Sequence, residues 1–377
     1  MDESGRTASI SPGSAWACLS KNIFINILLR IGLAENFLVA SNKKVNRVLL
    51  TSLLFFCLNS SWAAEDKYSE VGATFNGTIC VDADTGMVLS ESTADRLGHP
   101  ASVTKLMTLL LILEDARDQQ LNLNSLVKIN KEAAQTGGSQ VWLAVDEEFT
   151  VKDLLYALML HSANDAAVAL ALTRAPTVKE FVERMNTRAK ELGMSNTRFI
   201  SPHGLTYGAG PHDTTTARDL AKLCIQLTML NDAYTFSRCK EYNFRPGLNC
   251  IRLTNHNRLL QAYPGCDGFK TGWTVAANAS IATTARNDNH RVIAIVLGCD
   301  SPSGAKIAQR VRDQIAGKLM AKGFEKLAVL DAEKAKLLAS SQRDLPKTKT
   351  STSMPAKKPD SEEKTAEKGW LEALFAF

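Results

Sequence analysis

Pro100-Ala101-Ser102-Val103-Thr104-Lys105 opens a run that stays apolar, Thr108 apart, from Leu106 to Leu113. If the run is a helix, Ser102 and Lys105 stand one turn apart on one face at its N-terminal end. A helix apolar on nearly every side belongs in the middle of a domain. A hydroxyl and an amine then meet at the mouth of a core helix, which suits a serine nucleophile served by a lysine base. The tetrapeptide alone decides little. Ser-x-x-Lys occurs six times, starting also at Ser41, Ser125, Ser237, Ser303 and Ser361. Ser41 lies in the leader, Ser361 in a polar linker, and Ser125, Ser237 and Ser303 have no apolar helix immediately after them, so for these five an N-cap serine with a surface lysine is the better reading.

Upstream of this helix, Gly77 to Val81, the turn-rich Asp82-Ala-Asp-Thr-Gly86 and Met87 to Glu91 read as a hairpin. Downstream, Thr150-Val-Lys-Asp153 is a capping-box pattern that opens an apolar helix ending near Leu160. The polar break His161-Ser-Ala-Asn-Asp165 leads into a helix over Ala166–Thr173, and Thr216-Ala-Arg-Asp219 caps another that ends near Leu230. The period then changes. Phe269–Trp273, Ala279–Ala285 and Arg291–Gly298 read as strands, and Ile307, Val311, Ile315 and Leu319 mark an amphipathic helix. Strands, many helices, strands, helix: this order predicts one α/β domain over residues 65–330, an antiparallel sheet joining both ends with helices inserted between.

The composition fits that size. The 377 residues are 45% hydrophobic and 22% charged, which suits a globular protein with a sizeable core. A net charge of +5 is too small at this length to argue for nucleic acid. Zinc-type cysteine spacing, a Walker loop and a dinucleotide fingerprint are all missing, so no metal or organic cofactor is expected.

The N-terminal region carries a processing signal. Lys43, Lys44 and Arg47 precede the apolar Val48–Leu58 and the small-residue site Ser61-Trp-Ala63, the layout of a secretory signal peptide over residues 43–64. Residues 1–42 are expected to be a misassigned upstream leader; an intact N-terminus at Met1 in the unprocessed precursor would contradict this. Export places the six later cysteines, Cys80, Cys224, Cys239, Cys250, Cys266 and Cys299, in an oxidising compartment. They allow fifteen pairings, or none if they are buried free thiols. Residues 331–369 read as a disordered linker, and Trp370 to Phe377 form a short apolar tip. That tip is either an interfacial foot in peripheral contact with a membrane or a frayed tail.

Two further motifs single out Ser102. Ser162-Ala-Asn164 falls in the break between two helices, and Lys270-Thr-Gly272, which occurs once, opens the late strands. In this order and spacing the three motifs resemble those of the low-molecular-mass penicillin-binding serine D-alanyl-D-alanine carboxypeptidases, relatives of the serine β-lactamases. Leu154 to Leu160 leading into Asn164-Asp-Ala-Ala167, Pro202-His-Gly-Leu205 and Asn255-His-Asn-Arg-Leu-Leu260 resemble family segments as well. Ala163 stands where the family often has glycine, and the deacylating-glutamate segment of class A β-lactamases is missing.

The resemblance implies a β-lactamase/DD-peptidase-like fold with an all-helical subdomain inserted. It implies Ser102 as nucleophile, Lys105 as base and Ser162 as proton carrier. Asn164, Lys270, Thr271, Gly272 and Trp273 are then substrate-binding: Asn164 on a substrate amide, Lys270 and Thr271 on the terminal carboxylate, and the Trp273 N–H beside that of Ser102 on the oxyanion. A lysine is a base near neutrality only if its pKa falls far from about 10.4, and burial and the charge of Lys270 both push that way. The implied partners are a peptidoglycan stem peptide and β-lactams as covalent inhibitors. A DD-endopeptidase, a β-lactamase and a non-catalytic peptidoglycan-binding scaffold are the rival readings. His161 and His203 read as structural or loop residues, and Asp165 as a helix-start residue.

Overall fold

Ile79, Val81, Ile293, Ile295 and Leu297 face one core while Cys80, Val292, Ala294 and Val296 face another, the period-two alternation of strands covered on both sides. The computed structural model describes residues 72–206, 210–245, 247 and 250–343. The strands β1 (Gly77–Asp82) and β2 (Val88–Ser92) join three later ones, numbered in chain order β7 (Cys266–Thr274), β8 (Asn278–Arg286) and β9 (Arg291–Cys299). Together they form an antiparallel five-stranded sheet in the order β2-β1-β9-β8-β7, so β7 lies at an edge.

The segment between β2 and β7 covers one face of this sheet. A 3-10 turn, Ala101–Thr104, runs into α1 (Lys105–Arg117), where every residue from Lys105 to Leu113 is buried. Around it stand α2 (Lys131–Ala134), α3 (Val151–Tyr156), α4 (Asn164–Leu172), α5 (Val178–Glu191), α6 (Ala217–Thr228) and α7 (Asn231–Ser237), whereas the short α8 (Leu259–Ala262) lies by β7 with its Leu259 in the core of the other face. The expected α/β fold with an antiparallel sheet is the one found. The insert is not all-helical, however: β3 (Leu126–Lys128) pairs with β4 (Glu148–Thr150), and β5 (Glu241–Phe244) with β6 (Ile251–Thr254).

On the other face lies α9 (Ala305–Arg343), which buries Ala308, Val311, Ala316, Met320 and Leu327 against the sheet. This corrects the expected boundary at 330, because the helix continues to Arg343 through residues assigned to a linker. From Ala328 to Ser340 every residue is exposed; Lys326 Nζ donates to Leu89 O, and His290 Nε2 lies 2.7 Å from Asp331 Oδ2. The 1–42 leader, the 43–64 signal, residues 344–369 and the 370–377 tip lie outside the described residues. All six later cysteines are free thiols.

Candidate active site

Ser102 sits in the 3-10 turn ahead of α1, and the turn is reached through Ala101 in the left-handed region at φ 48°. Two remote glycines press on this turn. A Cβ on Gly272 would lie 2.6 Å from Pro100 O and 3.0 Å from Ser102 N, so edge strand β7 abuts the turn with room for no side chain. A Cβ on Gly204, in the Pro202-His-Gly-Leu205 segment, would lie 1.8 Å from Ala101 O. The glycine of Lys270-Thr-Gly272 is therefore a steric requirement of the strand's approach to Ser102.

Lys105 is fully buried, and its Nζ makes three bonds: to Asn164 Oδ1 at 2.7 Å, to His203 O at 2.8 Å and to Ser102 Oγ at 3.1 Å. Two of these partners are oxygens that only accept. A neutral amine has two N–H groups for them and one lone pair left for the third direction, where the Ser102 hydroxyl stands. Burial, and after it the charge of Lys270, holds the Lys105 pKa well below the ordinary lysine range, against the smaller opposing pull of Asp213 and Asp165. The expected contribution of Lys270 is present, but burial is the larger cause.

The second motif follows from an irregular helix end. The capping box at Thr150 forms with both its bonds, and α3 then widens into a π turn over Ala157–His161. Ser162 ends that turn at φ 62°, a left-handed residue where a non-glycine costs about 1–2 kcal/mol. Its buried hydroxyl has no hydrogen-bond partner among the described residues. Asn164 has partners within the protein. Its Oδ1 accepts from Lys105, its Nδ2 donates to Gly137 O at 2.8 Å, and its backbone N–H donates to Ser139 O at 2.7 Å. Each end of the amide thus has one protein partner, orienting the lysine and the 137–139 segment, and keeps a second bonding direction. Asp165 does more than start a helix: its carboxylate accepts from the N–H groups of Val141 and Leu143 and from its own helix at Ala166.

Lys270 is buried, with its ammonium 3.3 Å from Thr271 O. Burial, then the nearby Arg312 guanidinium, pulls it down to about 7. Arg312 comes from α9 and is itself held by Asp313 and by Ser280 O on β8. Thr271 is buried beside Lys270, whereas Trp273 is 43% exposed. The sequence reading passed over two supports of the lysine. The His203 carbonyl bonds Lys105 directly, and buried Asp213 accepts from Thr104 Oγ1 at 2.6 Å and from Ile200 N at 2.8 Å. The Pro-His-Gly-Leu segment was the available signal for the first; nothing marked the second.

A serine hydroxyl bonded to a buried lysine of lowered pKa, flanked by a second lysine lowered to about 7, is an arrangement able to activate a nucleophile. The family model for D-alanyl-D-alanine carboxypeptidases matches residues 65–301. The D-alanyl-D-alanine carboxypeptidase DacF of Bacillus subtilis is 35% identical over 261 residues, 68% of this chain and 66% of that protein's length. Among solved structures, the D-alanyl-D-alanine carboxypeptidase DacD of Francisella tularensis superposes with a TM-score of 0.61 at 28% identity, over 68% of this chain and 71% of that one. Ampicillin-bound penicillin-binding protein D2 of Listeria monocytogenes gives 0.57 at 30% identity, over 66% and 97%. The fold, the motif geometry and a family match over more than half of its length agree: the chain belongs to the D-alanyl-D-alanine carboxypeptidase family.

Proposed function

We propose that the protein is an exported serine DD-carboxypeptidase that removes the terminal D-alanine from peptidoglycan stem pentapeptides. The observation that carries this is the Lys105 amine, dry, proton-poor and 3.1 Å from Ser102 Oγ. Ser102 Oγ attacks the carbonyl carbon of the penultimate D-alanine while its proton passes to Lys105 Nζ. The oxyanion rests on the N–H groups of Ser102, at the start of the core helix, and Trp273, on the abutting strand. The C–N bond then breaks, and the leaving amine takes the proton through the unpartnered hydroxyl of Ser162. Water hydrolyses the acyl-enzyme by the same route, returning its proton through Lys105. Lys270 and Thr271 hold the substrate's terminal carboxylate. Penicillins, which mimic the dipeptide, acylate the same serine. The substrate lies outside the cytoplasmic membrane, in keeping with the signal-like segment at 43–64.

Release of D-alanine from a D-alanyl-D-alanine pentapeptide by the purified protein is the direct test. Cleavage of cross-linked muropeptide dimers to monomers without D-alanine release would sink the carboxypeptidase assignment.

Two further results are expected. Attack needs Lys105 neutral, whereas carboxylate capture needs Lys270 charged. Lys270 titrates at about 7, so it loses its charge as pH rises through that value, and kcat/KM is expected to fall there. Lys270→Arg keeps its charge and should move this limb to higher pH; a limb that stays in place belongs to another group. Gly272→Ala drives a methyl against Pro100 O and the Ser102 amide. Stopped-flow acylation by a chromogenic cephalosporin should slow by roughly 10²-fold, the usual effect of a misplacement of about 1 Å.

A further inference from the structure

Trp142 is 62% exposed, yet little about it is free. Its backbone sits at φ 54°, a left-handed conformation that is unfavourable for a bulky aromatic and persists only where the surroundings enforce it. Here they do. Asp165 accepts from the N–H groups on either side, Val141 at 3.0 Å and Leu143 at 3.1 Å. Arg245 donates to Val141 O and to Trp142 O, both at 2.7 Å, pairs with Glu147 and lies over the rings of Phe149 and Phe244. With the Gln140 amide turned so that its oxygen faces the indole, that oxygen accepts from Trp142 Nε1 at 3.1 Å and its nitrogen donates to Thr136 O at 2.8 Å. The polar edge of the indole is thus satisfied within the protein, and what faces outward is apolar ring.

The ring stands at the head of a row that leads into the site. Its centroid is 6.4 Å from that of His161, the residue before Ser162, and His161 is 5.7 Å from His256. Partial desolvation, and then the charge of Lys270, lowers His256 to about 4, and desolvation also lowers His161. The three rings, tilted 48° and 51° to one another in turn, form a largely apolar row beside Ser162. It suits neither the substrate's carboxylate, which belongs at Lys270, nor a second anion. It does suit an alkyl chain laid on ring faces.

We propose that Trp142 is a specificity-determining residue whose indole face receives the long alkyl side chain of the residue preceding the D-alanyl-D-alanine unit. This rests on the carboxypeptidase reading and deepens it. The test compares kcat/KM on Nα,Nε-diacetyl-L-lysyl-D-alanyl-D-alanine and Nα-acetyl-L-alanyl-D-alanyl-D-alanine. Trp142→Ala should lose about tenfold on the lysyl peptide and less than about twofold on the alanyl peptide, the scale of a few methylenes in an apolar subsite. Trp142→Phe should keep the preference. Acylation of Ser102 by 6-aminopenicillanic acid, which has no acyl side chain, should be unchanged in both variants. Equal losses on the two peptides, or no loss on either, would overturn the inference. A wild-type protein inert to both peptides would instead remove the carboxypeptidase reading, and this subsite with it.

Discussion

Ser102→Ala is expected to leave no covalent adduct with benzylpenicillin in intact-protein mass spectrometry and to lower D-alanine release by at least about 10⁴-fold. The size of the effect follows from the absence of any substitute. The hydroxyl of Ser162 has no bond to the lysine and that of Thr104 is held by Asp213, whereas Ser102 Oγ is bonded to the lysine at 3.1 Å. The fold should survive, because Ser102 is partly exposed and caps nothing with its side chain. Retention of substrate binding would confirm this, since the Lys270 and Thr271 side of the site is untouched. A penicillin adduct on Ser102→Ala would place the nucleophile elsewhere and overturn the assignment.

Lys105→Met is expected to slow acylation by about 10²–10⁴-fold, the usual contribution of a positioned base, while making the protein more resistant to heat. The second half is the more diagnostic. A lysine whose folded-state pKa lies far below its unfolded value binds fewer protons in the native state, so at neutral pH it opposes folding. This opposition is full below the folded pKa and fades as pH rises from there towards 10.5, where the unfolded lysine also loses its proton. Replacing it by an apolar chain of similar length should therefore raise the melting temperature near pH 7, by an amount that shrinks towards pH 10. Asn164 Oδ1 and His203 O lose a donor in the variant, which sets the limit of the gain. A variant that melts lower at pH 7, with the gap shrinking at higher pH, would mean that Lys105 is charged in the folded protein.

Much of this site is written in the sequence because its parts are strong local signals. An apolar run such as Leu106–Leu113 has few places to go except the core, and three nine-residue strands announce themselves by β-branched and apolar content. What escaped is of three physical kinds. The His203 contact uses a backbone carbonyl, which any residue supplies, so its type leaves no trace. The π turn and the left-handed Ser162 are dihedral facts, dictated by what packs around them rather than by residue preference. Asn164 has an amide able to serve lysine and substrate alike, and its bond to Lys105 at 2.7 Å has no signature in the residue type. The short β3–β4 and β5–β6 hairpins, of three and four residues a strand, are too brief for alternation to show. The reach of α9 was missed for the opposite reason: Ala332 to Leu338 are good helix formers with no buried stripe, and burial was weighted above propensity.

That overhang has a mechanical consequence. From Asp331, where His290 meets it, to Arg343, α9 advances about 18 Å at the ordinary helical rise. A rod of that length keeps its direction, whereas a coil of equal residue number would fluctuate and collapse on itself. Deleting or adding whole turns between Ala332 and Ser340 would therefore change the length of this rod without removing a side chain that is buried among the described residues.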